Sequence, residues 1–191
     1  IATGNQFSAN QFKKYFDSIP HIIRGSRFSI AILDGEETEK DLKKLSNDIF
    51  MYYGLGCRSV SKIYLPKDYN LDNLFKQVYS WKGVINNSSY YNNYTYNKTI
   101  YLMSEEKFFD NGFLILKESR EIGSPIGAVY FEYYENDSTV IKSLKKYSEK
   151  IQCIVGKNIV ENSIEFGNTQ RPSLDDFADK INTLDFLLKL S

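Results

Sequence analysis

The chain has 191 residues, enough for one substantial domain or two small ones. Its 24 basic and 24 acidic side chains cancel, which argues against a nucleic-acid footprint and against a surface that seeks anionic lipid. No apolar run approaches the roughly 18 residues of a membrane span, and the opening IATGNQFSAN lacks the basic and apolar regions of a signal peptide.

Two cysteines, Cys57 and Cys153, do not make a disulfide framework, so free thiols and a cytoplasmic location are expected. Asn87, Asn93, Asn97 and Asn136 each open an N-x-S/T triplet, which an Asn-rich chain without an export signal produces by chance.

In chain order, NQFSANQFKKYFDSI reads as a helix with Phe7, Phe12 and Phe16 on one face, ended by Pro20. FSIAIL, residues 28–33, is an apolar run typical of a buried strand, and Asp34-Gly35 makes the turn after it. Thr38 to Asp41 resembles a capping box, with Asp in place of the usual Glu. The helix it opens carries Leu42, Leu45, Ile49 and Phe50 at core spacing, runs to about Tyr53 and stops at Gly54 and Gly56. VSKIYLP (60–66) is the next strand and LDNLFKQVYSW (71–81) the next amphipathic helix. Residues 83–99, dense in Tyr, Asn and Ser, read as a surface loop whose tyrosines pack on the body, with a ligand-facing lid as the alternative.

GFLILKE (112–118) and GAVYFEYYE (127–135) are strands, STVIKSLKKYSEKI a helix, and QCIVG (152–156) a buried strand with Cys153 inside it. SLDDFADKINTLDFLLKL closes the chain as a helix, acidic at its start and with Lys189 near its end. Helices and strands alternate, which predicts an α/β domain with a mostly parallel sheet covered by helices.

Cys57 lies in GLGCRS, after a helix and among turn residues. Gly56 removes bulk where a ligand would approach the backbone, and Arg58 adds a charge that favours a thiolate, the reactive form of cysteine. An adjacent backbone N–H suits an oxyanion. These local features leave both a nucleophile and a structural residue open.

Four segments carry a resemblance to the aldehyde dehydrogenase superfamily. MYYGLGCRSVSKIYLP resembles its nucleophile segment, and IIRGSRFSIAIL its Gly-Gly-Lys segment, here Gly25-Ser26-Arg27. ATGN (2–5) resembles the Thr-Gly-Ser motif that opens the last helix of the dinucleotide-binding domain. REIGSP (120–125) resembles Glu-x-Phe-Gly-Pro, with Glu121 and Pro125 at the Glu and Pro positions. Within the superfamily, PHIIR, GLGCRS, NNYTYNKTIYLM and FGNTQRPSLDDFADKINTLDFLL look like the fatty acyl-CoA reductase family of bacterial bioluminescence and its non-luminous relatives.

The resemblance implies an aldehyde dehydrogenase-like catalytic domain over residues 21–191, preceded in 1–20 by the end of a dinucleotide-binding domain. No glycine-rich phosphate loop occurs between a strand and a helix, so most of that domain is expected to lie outside this sequence and the fragment is expected not to turn over alone. The implied reaction reduces an acyl-CoA to the aldehyde with NADPH, or NADH, through a thioester on Cys57. Glu121 would then bond the nicotinamide ribose and Gly4 would belong to the cofactor-binding turn. Hydrolytic relatives carry a glutamate two positions before the first glycine of the Gly-Gly-Lys segment; here Ile23 stands there and cannot take a proton.

His21, the single histidine, is a candidate general acid/base, with a structural histidine as the alternative. Arg24 and Arg27 are candidates for CoA or cofactor phosphates, or for solvated surface. Gln170-Arg171-Pro172 matches a family segment and reads as a turn stabiliser. No metal and no nucleic acid are expected, and a homo-oligomer is expected by analogy. The competing readings are an aldehyde dehydrogenase, CoA-acylating or acid-forming, and a non-catalytic α/β interaction domain.

Overall fold

The computed structural model describes residues 1–156, 160 and 163–190. Two compact units form, one from residues 1–27 with 172–190 and one from residues 28–171.

In the smaller unit, β1 (Ala2–Thr3) pairs in parallel with β2 (Ile23–Arg24), and α1 (Gln6–Phe16) runs between them. Asn5 caps α1 by accepting the Ser8 N–H at 2.8 Å. Phe7 and Phe12 do not share a face: five residues turn a helix by about 140°, and Phe7 is 71% exposed while Phe12 packs against Phe16. The expected C-terminal helix is also broken. A short turn, Ala178–Lys180, precedes α6 (Thr183–Leu188), and Asp179 and Lys180 sit at left-handed φ angles of 60° and 58°. Asp179 is drawn out of helical geometry by two guanidinium partners, Arg27 Nε at 3.1 Å and Arg24 Nε at 3.5 Å. Asn182 then starts the real helix as its N-cap.

The larger unit is a six-stranded sheet in the order β5 (Phe109–Asp110), β6 (Ile115–Glu118), β7 (Ala128–Tyr134), β4 (Val60–Pro66), β3 (Phe28–Ile32), β8 (Ile151–Gly156). Only the edge strand β5 is antiparallel to its neighbour. The apolar residues of α2 (Glu39–Phe50), α3 (Leu71–Val78) and α4 (Ser88–Met103) join one core cluster with the sheet, while Val140 and Leu144 of α5 (Asp137–Lys146) join another with Ile30, Ile32 and Tyr64. Burial on both faces explains the near-continuous apolar runs of β3 and β4. The Thr38 capping box is present, with Asp41 as its carboxylate partner.

The segment read as a loop is helical. A 3-10 turn, Tyr79–Asn86, leads into α4, which Asn87 caps by accepting the Tyr90 N–H at 3.0 Å. Tyr90, Tyr94, Asn97 and Tyr101 are buried at spacings of 4, 3 and 4, a helix face written in tyrosine rather than leucine. Tyrosine fits here because each hydroxyl finds a partner, Phe113 O for Tyr90, Asp110 Oδ1 for Tyr94 and Tyr130 Oη for Tyr101. α4 lies so close to the turn before β7 that a Cβ on Gly127 would stand 2.7 Å from Tyr94 Cα, and Gly127 also needs its φ of 85°.

If α4 is a core helix, Tyr90→Ala lowers unfolding free energy by about 3–5 kcal/mol. Tyr91→Ala, on an exposed position, stays within about 0.5 kcal/mol. Urea titrations of both variants check this; equal effects would return residues 88–103 to a peripheral loop.

Candidate functional site

α2 ends at Phe50, earlier than its glycines suggest. A tight turn follows in which Tyr52, Tyr53 and Gly54 all take left-handed φ, at 55°, 59° and 72°. Left-handed backbone costs an L-residue roughly 1–2 kcal/mol, so this turn is held by its surroundings. Gly54 is required by its φ. Gly56 is not: it has no left-handed φ, and a Cβ there would meet Ser59 Oγ only at 3.4 Å.

The turn delivers Cys57, exposed, just before β4. Its carbonyl accepts the Ser29 hydroxyl at 2.8 Å, while Ser59 N–H donates to Gly56 O at 2.9 Å. Among the described residues, no acceptor takes the Cys57 N–H. The thiol therefore sits beside an unspent backbone donor on a segment anchored from below.

The anchoring extends to a second loop. Asp48, buried on α2, accepts the N–H of Gly167 at 2.6 Å and the N–H and hydroxyl of Thr169 at 3.1 and 2.8 Å. Burial pushes the Asp48 carboxyl above its ordinary range, and these donors oppose that rise. Arg58 donates a guanidinium N–H to Thr169 O at 3.0 Å, which ties it to this loop. Gln170 Nε2 reaches Ser59 Oγ at 3.4 Å. The stabilising part expected of Gln170 thus has a target, the residue that begins β4's approach, while Arg171 N–H closes a turn on Asn168 O.

Cys153 is buried in β8 as expected, with Sγ 2.9 Å from Ser29 Oγ, and burial pushes its thiol up. Both cysteines are free.

Glu121 lies in the segment that returns from the end of β6 to the start of β7. Its N–H donates to Ser119 Oγ at 3.1 Å, and its carboxylate is exposed and unpaired among the described residues. Further along, Gly123 packs against Phe28 so tightly that a Cβ would stand 2.1 Å from the ring. Pro125 and Ser124 share a cavity of about 30 Å3 with Gly54. The segment therefore starts at the far end of the parallel strands and comes back to the end that carries Cys57.

The other candidates belong to the smaller unit. Gly4 donates its N–H to Arg24 O at 3.1 Å, and a Cβ would collide with Ser8 Cβ at 2.6 Å. His21 is half-buried, and its Nδ1–H donates to Ile19 O at 2.9 Å, which leaves Nε2 as the basic nitrogen of the neutral ring. Arg24 and Arg27 are half-buried. They bind Asp179, and Arg24 also donates to Thr183 Oγ1 at 2.9 Å. Ile23 is half-buried in β2 opposite Ala2. Sequence reading missed Ser29 and Asp48; the one signal was a polar residue inside each apolar pattern. Among the described residues, no group of three metal-binding side chains forms and no helix is long and apolar enough to cross a membrane.

No family model and no curated protein matches the chain. Solved structures do. An indole-3-acetaldehyde dehydrogenase with NAD+ superposes with a TM-score of 0.57 at 11% identity, over 81% of this chain and 39% of the other. The aldehyde dehydrogenase KauB from Pseudomonas aeruginosa gives 0.57 at 12%, over 81% and 39%. A methylmalonate-semialdehyde dehydrogenase from Sinorhizobium meliloti 1021, described as putative and solved with NAD, gives 0.56 at 8%, over 89% and 42%. The chain spans about two fifths of the length of these structures. It has the aldehyde dehydrogenase-like α/β fold.

Asp48→Asn weakens the hold on residues 167–169 and lowers stability at neutral pH by about 1–3 kcal/mol. Because the folded-state pKa of Asp48 is raised, the folded protein binds the proton more tightly than the unfolded chain, and stability from this group falls as pH rises. The margin of wild type over Asp48→Asn is therefore widest near and below the ordinary value of 3.8 and narrows as pH climbs through the folded pKa. Paired urea titrations between pH 3.5 and about 7 check the sign.

Proposed function

We propose that this chain carries the thioester-forming part of a nicotinamide-dependent acyl-CoA reductase, with Cys57 as the acyl acceptor. The observation that carries the reading is the exposed Cys57 thiol beside its own unspent N–H, on a turn anchored through Ser29. A nucleophile needs access, and its oxyanion needs a donor already in place.

In this mechanism Cys57 sulfur attacks the acyl-CoA carbonyl and a carbon–sulfur bond forms. The bond to CoA sulfur then breaks. The Cys57 thiol gives up its proton as it attacks, and CoA takes up one proton as it leaves as the thiol, so the acyl transfer needs no net proton. The Cys57 N–H holds the carbonyl oxygen as charge develops on it. NADPH or NADH, when bound, supplies the hydride that reduces the acyl carbon. Collapse of the resulting hemithioacetal breaks the Cys57–carbon bond and releases the aldehyde.

The exposed Glu121 carboxylate fits the acceptor that a ribose diol needs. Gly4 fits less directly: its N–H is spent on Arg24 O, so it would shape the turn into α1 rather than donate to a phosphate. Residues 1–20 are read as the end of a dinucleotide-binding domain and 21–191 as the catalytic domain, and a cytoplasmic enzyme is the compartment proposed.

A second reading is an aldehyde dehydrogenase, favoured by the matched structures, which are named as aldehyde dehydrogenases. Its acid-forming version needs a base for water, and Ile23 stands at the position where the resemblance would put one. The CoA-acylating version runs the same thioester in reverse.

The full chain incubated with long-chain acyl-CoA gains the mass of one acyl group in wild type and none in Cys57→Ser. In the protein that also carries the dinucleotide-binding domain, aldehyde oxidation without any acyl adduct would favour the second reading. No covalent chemistry with either substrate would leave an interaction domain. Gly56→Ala, which the backbone tolerates, keeps stability within about 1 kcal/mol and slows acylation if the acyl group approaches across Gly56.

A further inference from the structure

Lys62 lies inside β4 with its side chain fully buried. Lysine is almost never fully buried unless paired, and desolvating an ammonium costs on the order of several kcal/mol. Burial pushes its pKa down, opposed by Glu132. An apolar side chain of similar length would fill the space without that cost, so the sheet itself does not call for a lysine here.

The ammonium has three partners. Nζ donates to Glu132 Oε2 on β7 at 2.8 Å, donates to the carbonyl of Ser119, and stands 5.1 Å from the centre of the Tyr64 ring. Ser119 is the residue at which the chain leaves β6. Its N–H donates to Phe131 O at 3.0 Å, its hydroxyl oxygen accepts the Glu121 N–H at 3.1 Å, and its carbonyl accepts Lys62. Every polar group of Ser119 is engaged, and one of them fixes the backbone of Glu121. Ser119 also lines, with Arg120, Glu132 and Tyr133, an open cleft of about 550 Å3. It lies toward the carboxyl ends of β6 and β7, where open α/β sheets bind ligands.

Lys62 thus links two things that are separate in sequence: the strand that leaves the Cys57 turn and the start of the Glu121 segment. We propose that Lys62 is a positioning residue that holds Ser119, and through it Glu121, in register with the Cys57 strand for contact with a nucleotide ribose. This rests on the reading of Glu121 given above. Lys62 touches no reacting atom; it acts through Ser119.

The test uses this chain together with the dinucleotide-binding domain that the proposed function requires, as wild type, with Lys62→Met and with Lys62→Met/Glu132→Met. The double variant removes both charges and leaves apolar volume in their place, which is commonly neutral or stabilising. In the double variant, the unfolding midpoint stays near wild type and acylation of Cys57 without nucleotide stays within about 3-fold, because that step does not use Glu121. The KM for NADPH or NADH rises roughly 10- to 100-fold, the scale of a small misplacement. Amide hydrogens of residues 119–123 exchange at least about tenfold faster, with the exchange of β4 unchanged.

A double variant that regains both stability and the wild-type nucleotide KM overturns the proposal, since the lysine would then be only half of a structural pair. Unchanged exchange at 119–123 overturns it as well. A wild type that forms no acyl adduct and uses no nucleotide defeats the proposed function, whereas the exchange measurement still reads whether Lys62 holds Ser119.

Discussion

The structure around Cys57 depends on what the sheet does at Ser29. On one side, Ser29 and Ile30 pair with Val60 and Lys62, so β4 carries an extra residue there. On the other side, Phe28 and Ile30 pair with Ile151 and Ile154, so β8 does too. Both ladders open at the same point. Bulges in parallel pairs are rare, and they re-aim side chains. The fully buried Ser29 hydroxyl occupies this opening, with Cys57 O on one side and Cys153 Sγ on the other. A buried hydroxyl must be satisfied, and here it is satisfied by fixing the carbonyl of the candidate nucleophile.

The extra residue in β4 has a second effect. Side chains alternate along a strand, so an inserted residue changes which face the later ones take. After the bulge, Ile63 and Leu65 join the cluster with α2 and α3, while Tyr64 joins Val140 and Leu144 of α5. Lys62 lies over the Tyr64 ring and reaches Glu132 and Ser119. One irregularity thus sets both the Cys57 anchor and the reach of Lys62.

Much of this fold was legible in sequence for a simple reason: the strands of a doubly covered sheet are apolar runs, and FSIAIL and VSKIYLP match the observed β3 and β4 closely. α4 was hidden because its buried face is spelled in Tyr and Asn, residues that in isolation suggest loops. The Asp179 break was hidden because it depends on arginines distant in sequence. At the candidate site, the exposure of Cys57 and the turn glycine Gly54 follow from local sequence. Its clamps do not, because Ser29, Asp48, Thr169 and Gln170 come from separate parts of the chain. Arg58 shows the limit of a local reading: its charge is visible beside Cys57, but its bond to Thr169 O spans 111 positions.

Three buried polar side chains in the larger unit share one pattern. Ser29 holds the turn before β4, Asp48 holds residues 167–169, and Lys62 holds the exit of β6. Each stands where an apolar residue would pack more cheaply, and each spends at least one hydrogen bond on the backbone of a connecting segment. Apolar contacts confine a loop to a region, but a directional bond to a chosen carbonyl or N–H confines it to a position. Buried polar groups are the more demanding solution because a missing partner is costly. Buried within packed elements and bonded to the connections, they suit a protein whose core must be stable and whose loops must be located. On that ground the polar interior of this unit marks the Cys57 turn and the Glu121 segment as the parts whose geometry matters most.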